Sequence, residues 1–164
     1  MANFSFDCVS DYDKSEIINV FDQTQREISA RYDFKGTSAA IEWVGDKAGV
    51  KITGDNNFHI DSILDILRKK LAGRGQSQKI LDCSQDEVTS NMKVTKEVKF
   101  KKGISSEEAK KLSKLIRDNM PKLKPQIQGD ELRVTGAKKD ELQAAIELLR
   151  SQELDYDLQF INFR

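Results

Sequence analysis

The chain has 164 residues, 38% hydrophobic and 33% charged, and its 27 basic and 27 acidic side chains balance to zero. That length makes one ordinary domain or two small ones, and the high charge suits small domains, whose surface is a large share of the whole. It contains neither a run of 18 apolar residues nor a basic-then-apolar leader, so neither a membrane-spanning helix nor a secretory signal is expected.

Elements follow in order along the chain. "FSFDCVS" (4–10) alternates Phe4, Phe6 and Cys8 against Ser5, Asp7 and Val9, which predicts a strand. "SEIINVFDQTQREI" places Ile17, Val20, Phe21, Thr24 and Ile28 on one helical stripe, with Ser15 as the expected N-cap. "AAIEWV", a "GDKAG" turn and "VKITG" predict a hairpin. "FHIDSILDILRKKLAGRG" predicts a helix with Ile60, Ile63, Leu64, Leu67 and Leu71 inward and Gly73 as C-cap.

After a polar connection at 76–92, the linker candidate, "NMKVTKEVKFKKG" alternates Met92, Val94, Val98 and Phe100 against lysines. Lys96 interrupts the apolar row, which predicts either an edge strand or a bend. "SSEEAKKLSKLIRDNM" opens with a Ser–Glu capping signature and turns Ala109, Leu112, Leu115, Ile116 and Met120 inward. "IQGDELRV" is a hairpin with a tight Gly129–Asp130 turn. A helix, "KKDELQAAIELLRSQ", and a last strand, "LQFINF", follow.

The strand ends "VKITG" (50–54) and "LRVTG" (132–136) repeat one pattern. Aligning Gly54 with Gly136 also matches Ile60 with Leu142, Leu64 with Ile146, Leu67 with Leu149 and Arg68 with Arg150, without a gap. The expected fold is therefore α+β: a duplicated unit, each copy a ferredoxin-like βαββαβ sandwich with helices on one sheet face. Seven strands are evident where two units need eight. Either one lies unrecognised near "KILDCS", or the domains share strands. The expected domains are 12–88 and 89–164.

The zero net charge hides a division. Residues 1–65 carry 6 basic and 12 acidic side chains, whereas 92–124 carry 11 and 4. Those lysines either attract phosphates or form solvated faces. Cys8 and Cys83 lack CxxC spacing, so reduced thiols and a cytoplasmic location are expected. The single histidine, His59, makes no zinc site or triad with scattered cysteines and is expected to be structural. "GVKITG" and "AGRG" lack phosphate-loop spacing. No catalytic site, metal site or cofactor is expected.

Binding candidates remain. The residues opposite the apolar rows are Lys51, Thr53, Gln126, Gln128, Glu131, Arg133 and Thr135. They lack the strand aromatics on which RNA-recognition motifs stack bases, and leave a donor-rich platform or a wet sheet face. "SARYDFKG" sets Arg31, Asp33 and Lys35 around Tyr32 and Phe34. These aromatics either stack a base beside a phosphate-gripping guanidinium or cap the core. "LRKKLAGRG" adds Arg68 and Arg74, which dipole compensation alone also explains.

"SFDCVS", "REISARYDFKG", "ILDILRKKLAGRG", "QIQGDELRVTG" and "FINFR" together resemble the bacterial YajQ family, from near residue 5 to the C-terminal end. The resemblance implies two ferredoxin-like domains that exchange their first strands, 4–10 joining the C-terminal sheet and 92–101 the N-terminal one. It also implies a cytoplasmic, non-enzymatic nucleotide-binding protein, with cyclic di-GMP as ligand and a transcription factor as partner. RNA binding through 92–124 and a protein-interaction adaptor are the alternatives; no membrane partner is implied. The nucleotide-binding candidates are Arg31, Asp33, Lys35, Arg68, Arg74, Gln126, Gln128 and Arg133.

Overall fold

The computed structural model describes residues 3–164. In chain order the elements are β1 (Phe4–Val9), α1 (Lys14–Ala30), β2 (Ala40–Val44), β3 (Gly49–Gly54), α2 (Asn57–Gly73), β4 (Leu81–Asp82) and β5 (Val88–Ser90). Then come β6 (Lys93–Phe100), α3 (Ser106–Asn119), β7 (Lys124–Gln128), β8 (Glu131–Gly136), α4 (Lys139–Arg150) and β9 (Gln159–Ile161).

The helices form where periodicity and end signals agree. The α1 stripe Ile17, Val20, Phe21, Thr24 and Ile28 is buried as expected, but Asp13 rather than Ser15 is its cap. Asp13 Oδ1 accepts from the Ser15 and Glu16 N–H groups at 2.9 and 3.3 Å, which places Ser15 inside the first turn. On α2 the expected stripe is buried together with Ile66. This helix runs through Gly73 and stops at Gly75, whose φ of 73° is the left-handed state that favours glycine. Gly75 N–H then bonds the Ala72 carbonyl at 3.1 Å and Gln76 N–H the Leu71 carbonyl at 2.9 Å, the paired closure of a Schellman end. On α3 the Ser105–Glu108 capping box is closed from both sides.

Two antiparallel sheets result, with strand orders β7-β8-β1-β9 and β2-β3-β6-β4, and β5 pairs with β6. The chain divides accordingly into two compact units. One runs up to Asp11 and resumes at Lys102–Arg164; the other is Tyr12–Lys101. In the first, β1, α3, β7, β8, α4 and β9 follow one another as βαββαβ, with its first and third strands central. In the second, β6 fills the first-strand position, followed spatially by α1, β2, β3, α2 and β4. Both are ferredoxin-like. The strand missing from the sequence count is β4, within "KILDCS". Residues 76–92 are not a linker, because they carry β4 and β5 and belong to the Tyr12–Lys101 unit.

Strand β6 is central, not at an edge: it pairs with β3 on one side and with β4 and β5 on the other. Lys96 is tolerated there because its ammonium reaches out to the Gln85 carbonyl at 2.8 Å, so its stem packs while its charge finds an acceptor. Each unit has its own core. Val50, Ile52, Ile60, Ile63 and Leu67 centre one, and Phe6, Cys8, Leu132, Val134 and Ile116 the other.

The repeated glycines answer to sterics rather than to a left-handed turn. Neither Gly54 nor Gly136 has positive φ, yet a Cβ at Gly54 runs into His59 Cβ, and one at Gly136 lies 2.5 Å from Leu123 Cδ2. A leucine tip can move; the His59 Cβ on the first turn of α2 cannot without moving backbone. Gly54→Ala is therefore expected to cost about 1–3 kcal/mol and Gly136→Ala clearly less. Equal urea midpoints for the two variants refute this explanation.

Candidate functional site

In the unit carrying α3 and α4, the sheet register sets Gln126, Arg133 and Asp7 side by side, with Gln128 opposite Glu131. Alternation along each strand turns them to the face away from the helices. Arg133 clamps Asp7 with two bonds, Nε to Oδ1 at 2.8 Å and Nη2 to Oδ2 at 3.3 Å. Asn162 Nδ2 adds a third, at 2.8 Å. Asp7 is only 2% exposed. Arg133 holds its carboxyl below the ordinary carboxylate range against burial, which pushes it up, and Asn162 adds to the lowering. Gln126 and Gln128 stay exposed.

The Arg31–Lys35 corner lies in the other unit. Arg31 follows the last turn of α1 and its N–H bonds the Glu27 carbonyl. Its guanidinium grips Asp33 bidentately at 3.1 and 2.8 Å and lies 4.9 Å from the Phe34 ring centroid. Phe34 is buried and meets His59 edge-on at 5.3 Å. His59 Nδ1 accepts from the Asp55 N–H, and Asp55 Oδ1 accepts from the Ser38 N–H and hydroxyl. Through this chain of contacts the loop is stitched to the start of α2. Arg31 lowers the Asp33 carboxyl, and Ser38 lowers that of Asp55. The two aromatics of "RYDFKG" thus divide the two roles: Phe34 belongs to the core, while Tyr32 is 87% exposed. Lys35 is exposed too, and so is Phe58 on α2, at 70%.

The other candidates lie apart from both places. Arg68 pairs with Asp65 on its own helix at 3.4 Å. Arg74 grips Glu16 at 2.9 and 3.0 Å, tying the end of α2 to the start of α1. The 17 residues of α2 extend roughly 25 Å, so Arg74 stands at the far end from His59 and the corner. Residues 92–124 are likewise divided, at the Lys101–Lys102 boundary between units. Sequence reasoning missed Asp7 and Asn162 as partners of Arg133. Asn162 did carry a signal, since asparagine tolerates the left-handed φ of 57° that it adopts. Phe58 carried none.

Chemistry is constrained elsewhere. Cys8 is buried, and burial with the Asp7 charge pushes its thiol up to about 12, far from a nucleophile's range. Cys83 is a half-buried free thiol. Among the described residues no group of three or more His, Cys, Asp or Glu is placed to hold a metal ion, and no helix is long and apolar enough to cross a membrane.

Fold and side chains together define a tandem ferredoxin-like α+β protein with polar sheet faces and a cation–aromatic corner. The family model described as nucleotide-binding protein YajQ-like matches residues 4–164, and the chain belongs to that family. It is 48% identical over 165 residues to a nucleotide-binding protein of a Nocardioides species, covering 100% of both chains. Nucleotide-binding proteins of Thermobifida fusca and Nostoc punctiforme are 46% and 44% identical, over 99% of each chain.

Proposed function

We propose that this chain binds a nucleotide without turning it over, that cyclic di-GMP is the ligand, and that the Arg31–Lys35 corner receives it. The names of the relatives support the ligand class. What favours the corner is the exposure of the Arg31–Asp33 pair beside the outward ring of Tyr32. Exposed ion pairs add little stability, so a ligand that opens this one forfeits little. Each half then has a complement in a guanine nucleotide. The carboxylate accepts from guanine N1–H and its 2-amino group, the guanidinium grips a phosphate through two donors, and the tyrosine ring stacks the base. Arg133 differs, because freeing it strands the buried Asp7 carboxylate; with Gln126 and Gln128 it forms the second surface where a guanine edge fits. A receptor of this kind acts through a partner, for which the family resemblance suggests a transcription factor.

Titration calorimetry of the full chain with cyclic di-GMP, at two salt concentrations and with GTP as competitor, tests the proposal. Saturable micromolar binding that GTP does not displace is expected. Arg31→Ala and Tyr32→Ala should each weaken it about tenfold. If Gln126→Ala weakens binding and the corner variants do not, the ligand sits on the sheet face. If no heat appears, and single-stranded RNA binds with a log–log salt slope of roughly −0.7 per phosphate neutralised, the basic stretch 92–124 is the working surface instead.

A further inference from the structure

A cleft of about 300 Å³ opens beside α4, in the unit that does not carry the Arg31 corner. It is lined by Leu142 and Ile146 of α4, by Phe4 and Phe163, and by Lys139 and Arg164. The backbone holds Phe163 in place from both sides. Asn162, at φ 57°, interrupts the pairing of β9 with β1. Arg164 then rejoins β1, exchanging two backbone hydrogen bonds with Ser5 at 3.1 and 3.2 Å. Phe163 therefore stands 6.3 Å from the Phe6 ring yet is 63% exposed. Lys139 lies one turn before Leu142, its ammonium 5.1 Å from the Phe4 centroid. Both cations are exposed, and neither is in any of the six salt bridges seen among the described residues.

A pinned, water-exposed aromatic ring sharing a cleft with aliphatic side chains suits a planar ring. Two exposed cations beside it, neither of them in one of those salt bridges, suit an anionic group attached to that ring. The volume is at the low end for small-molecule sites, enough for one base with its sugar phosphate and too little for a dinucleotide. We propose that this cleft is a mononucleotide site, with a purine against Phe163, Leu142 and Ile146 and its 5′-phosphate on Lys139 and Arg164. The site is independent of the Arg31 corner and does not rest on that reading.

The test is titration of the full chain with GMP, guanosine and ribose 5-phosphate, each up to about 1 mM. GMP should saturate, and both fragments should bind at least about tenfold more weakly, because ring and phosphate each contribute. Phe163→Ala and Lys139→Gln should each weaken GMP at least about fivefold without moving the melting temperature, since both side chains are exposed. The proposal is overturned if GMP does not saturate, if either fragment matches GMP, or if both variants bind GMP like the parent chain. Loss of GMP binding in Tyr32→Ala overturns it as well, by placing the nucleotide at the corner of the other unit.

Discussion

Replacing Phe6 with alanine is expected to destabilise the unit built around α3 and α4 by about 3–5 kcal/mol and to leave the Tyr12–Lys101 unit untouched. Phe6 is fully buried among Leu132, Val134 and Ile116, opposite Val134 in the register, and meets the Phe160 ring edge-on at 5.7 Å. Truncation removes the ring's transfer free energy and leaves a cavity between two strands and two helices that cannot easily collapse. The single tryptophan, Trp43, stacks on Phe21 in the other core, which separates the two outcomes. In urea, the fluorescence midpoint of Trp43 should hold while circular dichroism gains an earlier transition. An early Trp43 transition, with no new one by circular dichroism, contradicts the assignment of residue 6 to that core.

The second large effect is expected from Arg133→Met. It strips the buried Asp7 carboxylate of two of its three hydrogen bonds and leaves a poorly compensated charge, which lowers stability. The double variant Asp7→Asn with Arg133→Met should recover most of the loss, because no unpaired charge is then left at this pairing. The same pair sets an acid limit. Asp7 titrates below its ordinary value in the folded chain, so its contribution is complete above the unfolded carboxylate pKa of about 3.9. It is lost as pH falls through the lower, folded value. Stability from this pair is thus flat between pH 7 and 5 and declines below about pH 4. Asp7→Asn should flatten that decline in an acid titration; an unchanged acid midpoint rules the linkage out.

The candidate site was legible in parts. The exposed charges of "RYDFKG" were visible as a cluster because they are neighbours along the chain, and a cap and a 3-10 turn keep them together. Whether Tyr32 or Phe34 faced water was not visible, since both positions suit an aromatic, and the decision came from His59, 25 residues on, packing against Phe34. Arg68 and Arg74 belong to a separate stretch, on and just past α2, where each already has a carboxylate partner, Asp65 and Glu16.

What the sequence determined by itself is the set of features written at short range. The helical stripes, the Ser105–Glu108 box and the Gly129 turn all rest on contacts within about one turn of the backbone, so local spacing suffices to specify them, and the duplicated strand-to-helix corner shows as a repeat of the same local pattern. What only the tertiary structure decided is which strands lie beside which, and hence which side chains meet. A period of two assigns Phe4, Phe6 and Cys8 to one face but carries no information about the strands on either side. That β1 lies between β8 and β9, and β6 between β3 and β4, depends on each unit's core closing across long sequence separations. Asp7 meets Arg133 from 126 positions away and Asn162 from 155, and no local pattern encodes a partner at that distance.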